Sequence, residues 1–252
     1  MGLSIVIPAW NESDRLARTL DRYLPALEAR SDPFEVIVVS DGCRDDTAEV
    51  AESYSPRHVR VLRFPEKLGK GGAILAGLRE ARYEYVGYLD ADGPIAPDQM
   101  HQMVDRLVDV DCVIASRWIR GASGVEAEPL FNRFAGRLWN FLSQSLLFLR
   151  VKDTQCGAKF FKSSIIEPIL RTVALTNRAF DVDFLYHVQK EGYRVKEVPV
   201  NWTHDKATRM PVGWAIPVMF ASLLGLRVIN SPFGKHVPPK LIKWFLEEFG
   251  EL

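Results

Sequence analysis

Short apolar segments alternate with helical patterns through the first half of the chain, and this alternation limits the fold more than any other feature. Glu35–Ser40 is rich in β-branched apolar residues, which is typical of a parallel strand buried on both faces. Asn11–Arg30 repeats its apolar residues at helical spacing. The alternation predicts an α/β fold in which helices flank a mostly parallel sheet with right-handed crossovers.

Beyond the first half the alternation of strands and helices becomes less regular, and one predicted helix is longer than the others. The predicted strands are Leu3–Pro8, Glu35–Ser40, Val59–Phe64, Tyr85–Leu89, Cys112–Ala115, Lys159–Lys162 and Val195–Val200. The predicted helices are Asn11–Arg30, Asp45–Tyr54, Gly72–Arg82, Pro97–Val110, Leu130–Val151, Ser164–Thr172 and Asp181–Glu191. A chain of 252 residues can bury one large core, so we expect one domain over residues 1–210 and a helical extension over residues 211–252.

Charge and cysteine content exclude several classes of protein. The chain has 32 basic and 32 acidic residues, and a net charge of zero argues against a general nucleic-acid binder. Its three cysteines are widely spaced and show no metal-binding pattern, which favours free thiols in a reducing compartment. The first residues lack the basic and apolar regions of a signal peptide, so none is expected.

One segment, Pro211–Ile229, is apolar enough to raise the question of a membrane span. It contains two prolines, two glycines and Arg227, whereas a spanning helix needs about 20 cleanly apolar residues. We therefore expect an interfacial or buried helix here, with a true span as the alternative.

Polar residues follow three of the predicted strands, in Pro8–Glu12, Ser40–Gly42 and Asp90–Gly93. In an open parallel sheet, ligands bind in the crevice outside the carboxyl ends of the strands. The sequence therefore predicts a binding site where these three segments meet.

Asp90 and Asp92 are the candidate metal ligands in this crevice. Two carboxylates spaced two residues apart after a strand can turn toward one cation, and hard oxygen ligands favour Mg²⁺ or Mn²⁺. The alternative is a turn with helix-capping acids, since Gly93 and Pro94 follow.

A glycine-rich segment, Lys67–Gly72, precedes a predicted helix and could bind an anion through backbone N–H groups and Lys70. It matches neither the P-loop pattern nor the dinucleotide-binding pattern, which disfavours a P-loop ATPase and a dehydrogenase. Asp41 could accept a hydrogen bond from a nucleobase. The acids Asp45 and Asp46 are better explained as helix caps.

Taken in order, these segments resemble family 2 glycosyltransferases with the GT-A fold, over residues 3–215. The resemblance is carried by Val6–Glu12, Asp41–Thr47, Gly69–Ala73, Asp90–Gly93, Asp153–Gly157, Ala179–Asp183 and Val198–Trp202. The last three segments point to the dolichyl-phosphate β-glucosyltransferase branch, with the dolichyl-phosphate mannose synthases as near relatives. The fold implied is a Rossmann-like, mostly parallel sheet flanked by helices.

The resemblance implies inverting transfer of one sugar, with UDP-glucose the favoured donor, to a polyprenyl or dolichyl phosphate. The residues implied to bind the nucleotide sugar are Pro8, Ala9, Trp10, Glu12, Asp41, Lys70, Asp90, Ala91, Asp92, Gln155 and Arg209. Asp90 and Asp92 would hold the metal. Trp10 replaces the usual tyrosine, and Gly93-Pro94 replaces the glutamine found near this motif in mannose synthases, which favours the glucosyl branch.

The proposed catalytic residues are Asp92, Asp181, Arg117 and Arg133. An acceptor phosphate is already an anion at neutral pH, so it needs cationic positioning more than a general base. Arg117 and Arg133, with Arg120 as a third candidate, could provide that clamp. Asp181 lies where related enzymes that act on hydroxyl groups place a base, but here it could instead orient the sugar or a cationic neighbour.

A polyprenyl acceptor places the enzyme at a membrane surface. We expect Leu130–Val151 and Trp214–Ile229 to lie in the interface between membrane and water. For Leu130–Val151 the alternative is a helix of the protein core. We also expect peripheral attachment at the cytoplasmic face of the membrane. Three other activities stay open: a GDP-mannose-dependent synthase, a transferase that uses Asp181 as base toward a hydroxyl acceptor, and a non-catalytic nucleotide-sugar binder.

Overall fold

The computed structural model shows a sheet with helices packed on both faces. It describes residues 2–124, 130–177, 179–202, 212–232, 234–238, 240–242 and 244–245. The strands are β1 (Leu3–Ala9), β2 (Phe34–Asp41), β3 (Val59–Phe64), β4 (Tyr85–Leu89), β5 (Cys112–Ser116), β6 (Ala158–Lys162) and β7 (Val195–Pro199). The helices are α1 (Ser13–Glu28), α2 (Thr47–Ser53), α3 (Gly69–Arg79), α4 (Pro97–Asp105), α5 (Leu130–Leu147), α6 (Ile166–Leu170), α7 (Phe180–Lys190) and α8 (Val212–Ile229).

The seven strands form one sheet in the order β3-β2-β1-β4-β6-β5-β7. The first strand lies between β2 and β4 and runs parallel to both, so the predicted mostly parallel sheet is confirmed. Strand β6 is reversed and pairs antiparallel with both β4 and β5. In the β4–β6 pair Gly87 faces Phe160, and a Cβ at Gly87 would lie 2.3 Å from that ring, so a larger residue does not fit.

Each face of the sheet carries an apolar core. On one face, α1 and α4 contribute residues such as Leu16, Leu20 and Met100. On the other face, α3, α6, α7 and the end of α8 contribute residues such as Ile74 and Phe184. Each fully buried side chain of this size stabilises the fold by about 1.5–3 kcal/mol relative to its exposed state, and this burial holds the strand ends in fixed relative positions.

The second half of α8 packs on the second core. Leu223 and Leu226 are buried there, and the amide of Asn177 donates a hydrogen bond of 3.0 Å to the hydroxyl of Ser222. The domain boundary at residue 210 stays a prediction. Among the residues that the structure describes, no helix combines the length and the apolar character needed to cross a membrane.

Several helices end before the positions predicted from the sequence. The helix predicted over Leu130–Val151 ends at Leu147, where Phe148 adopts a left-handed φ of 55° that a helix cannot continue. The helix predicted over Pro97–Val110 ends at Asp105, and a 3₁₀ turn over residues 106–108 follows it.

Candidate active site

The carboxyl ends of β1, β2 and β4 meet at one edge of the sheet, as the predicted crevice requires. Ala9 pairs with Ser40 at the end of β1, and Asp41 is the last residue of β2. Asp90 and Ala91 follow β4 directly. Because β1 lies between the other two strands, all three polar segments border the same crevice.

The loop after β1 places Trp10 and Glu12 at the mouth of the crevice. Trp10 is half-exposed, and the ammonium of Lys67 lies 3.7 Å from the centroid of its ring. The backbone N–H of Glu12 donates to the hydroxyl of Thr47 at 2.8 Å, and its carboxylate lies 2.6 Å from the guanidinium of Arg15. The Trp10 side chain is therefore about half accessible to a ligand, with Lys67 over one face of its ring, beside a loop fixed to the start of α2.

Asp41 is buried, and one of its carboxylate oxygens accepts the backbone N–H of Leu68 at 2.5 Å. Burial raises the pKa of this carboxyl group, against the opposing effect of its hydrogen bonds. Asp41 thus holds the segment that leads into α3, and its predicted contact with a nucleobase stays a prediction.

The glycine-rich segment does not present its N–H groups to an anion, which corrects the expectation from the sequence. The N–H groups of Gly71 and Gly72 donate to the carbonyl of Thr176, at 2.7 and 3.3 Å. A Cβ at Gly71 would lie 2.6 Å from Cβ of Phe180. The glycines therefore allow the start of α3 to pack closely against the chain that enters α7.

Lys70 lies at the centre of the crevice, where its ammonium contacts two carboxylates. It is 2.9 and 3.2 Å from the two carboxylate oxygens of Asp90 and 3.4 Å from Oδ2 of Asp181. Burial lowers the pKa of Lys70, but the charges of Asp181 and Asp90 outweigh it and raise the pKa above its usual range. Lys70 therefore stays a cation.

Asp90 is held in place by a glycine opposite it. Its backbone N–H donates to the carbonyl of Gly157 at 2.9 Å, and a Cβ at Gly157 would lie 2.1 Å from Oδ2 of Asp90. Ala91 is buried and its carbonyl accepts the hydroxyl of Thr19, while Asp92 is half-buried in the turn that follows. Both acids of the predicted metal pair thus lie at the crevice.

Beneath Lys70 lies a buried polar cluster that sequence reasoning missed. Lys159, inside β6, is 2.5 Å from Oδ1 of Asp181 and donates to the carbonyl of Cys156 at 2.8 Å. The hydroxyl of Tyr88, on β4, donates to the same carboxylate oxygen. In the sequence, the feature that could have indicated this cluster is a lysine flanked by apolar residues in Ala158–Phe161.

The lysines in this cluster determine the charge state of Asp181. Burial alone would raise the pKa of its carboxyl group, but the ammonium groups of Lys159 and Lys70 hold the pKa at about 2. Asp181 is therefore a carboxylate at neutral pH and a weak base. Its observed contacts are with cationic neighbours, and orienting such a neighbour is one of the three roles considered from the sequence.

Arg117 forms a bidentate ion pair with buried Asp153, at 2.8 and 3.0 Å, and its guanidinium lies 5.3 Å from the ring of Trp202. Despite burial, Arg117 lowers the pKa of Asp153. Arg133 lies in the first turn of α5, partly exposed, and has no carboxylate partner among the residues that the structure describes. The two arginines of the predicted acceptor clamp thus differ, since only Arg117 is fixed by an ion pair.

Four further predicted site residues complete the set. Pro8 and Ala9 end β1, and the carbonyl of Ala9 accepts the thiol of Cys43. Gln155 lies in the loop before β6, and its side-chain nitrogen is buried without a hydrogen-bond partner among the described residues. Arg209 lies outside the described residues.

Comparison with known proteins agrees with this arrangement. The family model for glycosyl transferase family 2 matches residues 4–170. A dolichyl-phosphate β-glucosyltransferase of Drosophila melanogaster is 33% identical over 229 residues, which cover 84% of this chain and 70% of the relative. A Homo sapiens protein of the same name is 31% identical over 242 residues, covering 90% of this chain and 75% of the relative.

A solved structure extends the comparison to the fold. Glucosyl-3-phosphoglycerate synthase from Mycobacterium tuberculosis, in complex with Mn²⁺, UDP and glucosyl-3-phosphoglycerate, superposes with a TM-score of 0.62 at 17% identity. The match covers 90% of this chain and 78% of the synthase chain, and it shows a shared GT-A fold. With the family match and the relatives above, this chain belongs to glycosyl transferase family 2 and is a glycosyltransferase.

Proposed function

We propose that the protein transfers glucose from UDP-glucose to dolichyl phosphate or another polyprenyl phosphate, with inversion at the sugar carbon. Both relatives described above carry the name dolichyl-phosphate β-glucosyltransferase, which supports the donor sugar and the acceptor. The half-exposed ring of Trp10 and buried Asp41 supply an aromatic face and a hydrogen-bond acceptor for the nucleoside.

The observation that carries the proposal is the pairing of the buried Asp181 carboxylate with two lysines, Lys159 at 2.5 Å and Lys70 at 3.4 Å. A hydroxyl acceptor must lose a proton during transfer, and a useful general base has a pKa near the working pH. Asp181, with a pKa of about 2 and two lysine partners, does not meet that requirement. A phosphate acceptor is already ionised and needs no base, so this site suits it better.

We propose that the acidic pair, Asp90 and Asp92, binds a divalent cation. Asp90 is paired with a positive charge of the protein itself, since the ammonium of Lys70 contacts both of its carboxylate oxygens. Carboxylate oxygens from Asp90 and Asp92 are ligands that Mg²⁺ and Mn²⁺ accept, with further positions left for phosphate oxygens. When bound, such an ion would offset the negative charge that develops on the departing diphosphate.

Lys70 and Arg117 are the cations that this chain contributes itself. Lys70 lies beside Asp90, where it can balance charge on the donor diphosphate. Arg117, fixed by Asp153, and Arg133, on α5, are proposed to orient the acceptor phosphate. Arg209 is proposed to approach the donor from a segment outside the described residues.

An exposed apolar face supports contact with a membrane. The exposed apolar side chains are Leu130, Phe131, Phe134, Leu138 and Phe141 on α5, Phe148 after it, and Phe220, Leu224 and Val228 on α8. Large exposed apolar patches mark interaction sites, and amphipathic helices of this kind lie in the lipid interface. We propose peripheral attachment at the cytoplasmic face, which the free thiols of Cys43, Cys112 and Cys156 also suit.

A donor screen tests the proposal. The purified protein is incubated with polyprenyl phosphate in vesicles, Mn²⁺, and radiolabelled UDP-glucose or GDP-mannose, with Asp92→Asn as the matched inactive control. Lipid-linked glucose from the wild type alone is the expected product. Lipid-linked mannose would favour the mannose synthase alternative, and no lipid-linked sugar from either donor would refute the proposal.

A further inference from the structure

The turn that carries Asp92 is short and is closed by its own backbone. Residues Asp90–Gly93, here called the acidic turn, follow β4 directly, and the N–H group of Gly93 donates to the carbonyl of Asp90 at 3.0 Å. Gly93 has a φ of 59°, in the left-handed region that glycine adopts at little cost. The direction of the Asp92 side chain therefore depends on how the backbone of this turn is held.

Thr19, on α1, holds the peptide group that precedes Asp92. It is only 3% exposed, and its hydroxyl donates to the carbonyl of Ala91 at 2.7 Å. A threonine inside a helix can bond to the carbonyl one turn before it, but this hydroxyl crosses to the acidic turn instead. Because the Ala91 carbonyl belongs to the peptide bond with Asp92, this hydrogen bond fixes the plane of that peptide group.

Arg22 and Tyr23 hold the backbone that follows Asp92. Nη2 of Arg22 donates to the carbonyl of Gly93 and, at 3.0 Å, to that of Ile95, which also accepts the hydroxyl of Tyr23 at 2.5 Å. A Cβ at Gly93 would lie 2.6 Å from Nη2 of Arg22, so the guanidinium packs directly on the turn. Residues 19, 22 and 23 share one face of the helix because they are three and four positions apart. One face of α1 therefore holds the backbone on both sides of Asp92.

The two acids of the proposed metal pair are held by different parts of the fold. Asp90 is fixed by the carbonyl of Gly157, before β6, and by the ammonium of Lys70, on α3. The backbone around Asp92 is fixed by α1. Two carboxylates that share one ion must converge closely, since Mg²⁺ requires near-octahedral geometry at about 2.0–2.1 Å. A small rotation of the acidic turn would move Asp92 out of reach of an ion bound to Asp90.

We propose that Thr19 and Arg22 are positioning residues for Asp92, which hold the acidic turn in the orientation that lets Asp92 and Asp90 bind one divalent cation. The inference rests on the metal pair in the proposed function and adds the residues that align it. Both residues act through backbone carbonyls of the turn rather than on the ion. Substituting a group that orients a metal ligand typically lowers metal affinity by about 10–100-fold.

The Mn²⁺ affinity of matched variants at position 19 tests the inference. Electron paramagnetic resonance of free Mn²⁺ gives the dissociation constant of the protein, with Mn²⁺ alone and with added UDP or GDP. Thr19→Val keeps the shape of the side chain but removes its hydroxyl, and should weaken Mn²⁺ binding by about tenfold. Thr19→Ser keeps the hydroxyl and should bind Mn²⁺ as the wild type does.

Arg22→Met gives a second test, in which charge and positioning act in opposite directions. Removing a positive charge near a cation site would by itself strengthen Mn²⁺ binding, whereas releasing the turn weakens it. We expect a net loss of about tenfold. Arg79→Gln removes an exposed cation on α3 and should leave the affinity unchanged.

Two further measurements separate positioning from a general loss of structure. Thermal unfolding checks that each variant is folded, and if Thr19→Val does not fold, Arg22→Met at an exposed position decides the question. In a transfer assay, Thr19→Val should need more Mn²⁺ for half-maximal rate but approach the wild-type rate when Mn²⁺ saturates. A damaged crevice would not recover in this way.

Four results would overturn the inference: unchanged Mn²⁺ affinity in either Thr19→Val or Arg22→Met, stronger binding by Arg22→Met, an equal loss in Thr19→Ser, or a wild type that binds no Mn²⁺. Turnover is measured separately. A wild type that forms lipid-linked glucose without binding Mn²⁺ would refute this inference and leave the proposed transfer standing. Mn²⁺ binding that depends on Thr19 and Arg22, with no lipid-linked sugar formed, would refute the proposed transfer and leave the inference standing.

Discussion

The ammonium of Lys159 lies 2.5 Å from Oδ1 of Asp181, and both side chains are buried. The pair joins β6 to the first turn of α7, directly under Lys70. Removing Lys159 leaves the buried Asp181 carboxylate with Lys70, 3.4 Å away, as its remaining cationic partner in a medium of low dielectric constant. Replacing both Lys159 and Asp181 by apolar residues removes the cost of burying that charge.

We therefore expect Lys159→Met to lower the free energy of unfolding by about 3–5 kcal/mol, and Lys159→Met/Asp181→Leu to recover most of that loss. Urea unfolding followed by tryptophan fluorescence measures both. Arg171→Met is the control, since its pair with Glu167 is exposed, and it should change little. A double variant as unstable as the single one would contradict this account.

Stability should also depend on pH through Asp181. Its pKa of about 2 in the folded protein lies below its ordinary value of 3.8, so the unfolded chain takes up this proton first. The stabilisation is complete above about pH 4 and is lost as the pH falls toward 2, for a total of about 2 kcal/mol. The free energies of unfolding of the wild type and of Lys159→Met/Asp181→Leu are measured between pH 4 and pH 2. If both fall equally with pH, Asp181 does not cause the pH dependence of stability.

Lys70 should compete with a divalent cation for Asp90, because its ammonium contacts both oxygens of that carboxylate. Lys70→Met should strengthen Mn²⁺ binding in the absence of nucleotide by about tenfold, and Asp90→Asn should abolish it. Electron paramagnetic resonance of free Mn²⁺ gives the affinities. Lys67→Met is the control, because that ammonium lies over Trp10. Weaker binding by Lys70→Met would show that Lys70 does not compete.

Gly71→Ala should destabilise the protein by about 1–3 kcal/mol, because its Cβ would lie 2.6 Å from Cβ of Phe180 and 2.8 Å from the carbonyl oxygen of Thr176. Gly136→Ala is a matched helical control. Its nearest neighbour would be a Trp118 ring atom at 3.8 Å, so higher helix propensity should stabilise it by about 1 kcal/mol. Thermal unfolding compares the two, and equal shifts would mean that close packing at Gly71 is unimportant.

Most of the sheet could be predicted from the sequence because β1, β2, β4 and β5 are buried on both faces and leave a nearly continuous apolar signal. Val59–Phe64 and Tyr85–Leu89 have the predicted bounds. The reversed direction of β6 could not be predicted, since Ala158–Lys162 reads the same in a parallel or an antiparallel pair. The fit of Phe160 over Gly87 is visible only once the two strands are paired.

The crevice was predictable for a different reason: Asp41 and Asp90 follow apolar strands whose carboxyl ends must meet. The buried polar cluster beneath the crevice was not predictable from the sequence. Lys159 and Tyr88 reach Asp181 from different strands, and no local pattern links them. The glycine-rich segment looks like an anion site in the sequence, because spacing alone does not show that the carbonyl of Thr176 accepts the N–H groups of Gly71 and Gly72.

The long sequence separation within this buried cluster has a consequence for synthesis on the ribosome. Tyr88 and Asp181 are 93 residues apart, and Lys159 precedes Asp181 by 22. A growing chain that ends before Asp181 contains every strand from β1 to β6 but has no carboxylate to receive Lys159. The nascent sheet can therefore begin to pair early, whereas the centre of the site closes only after α7 has emerged, in a late folding step.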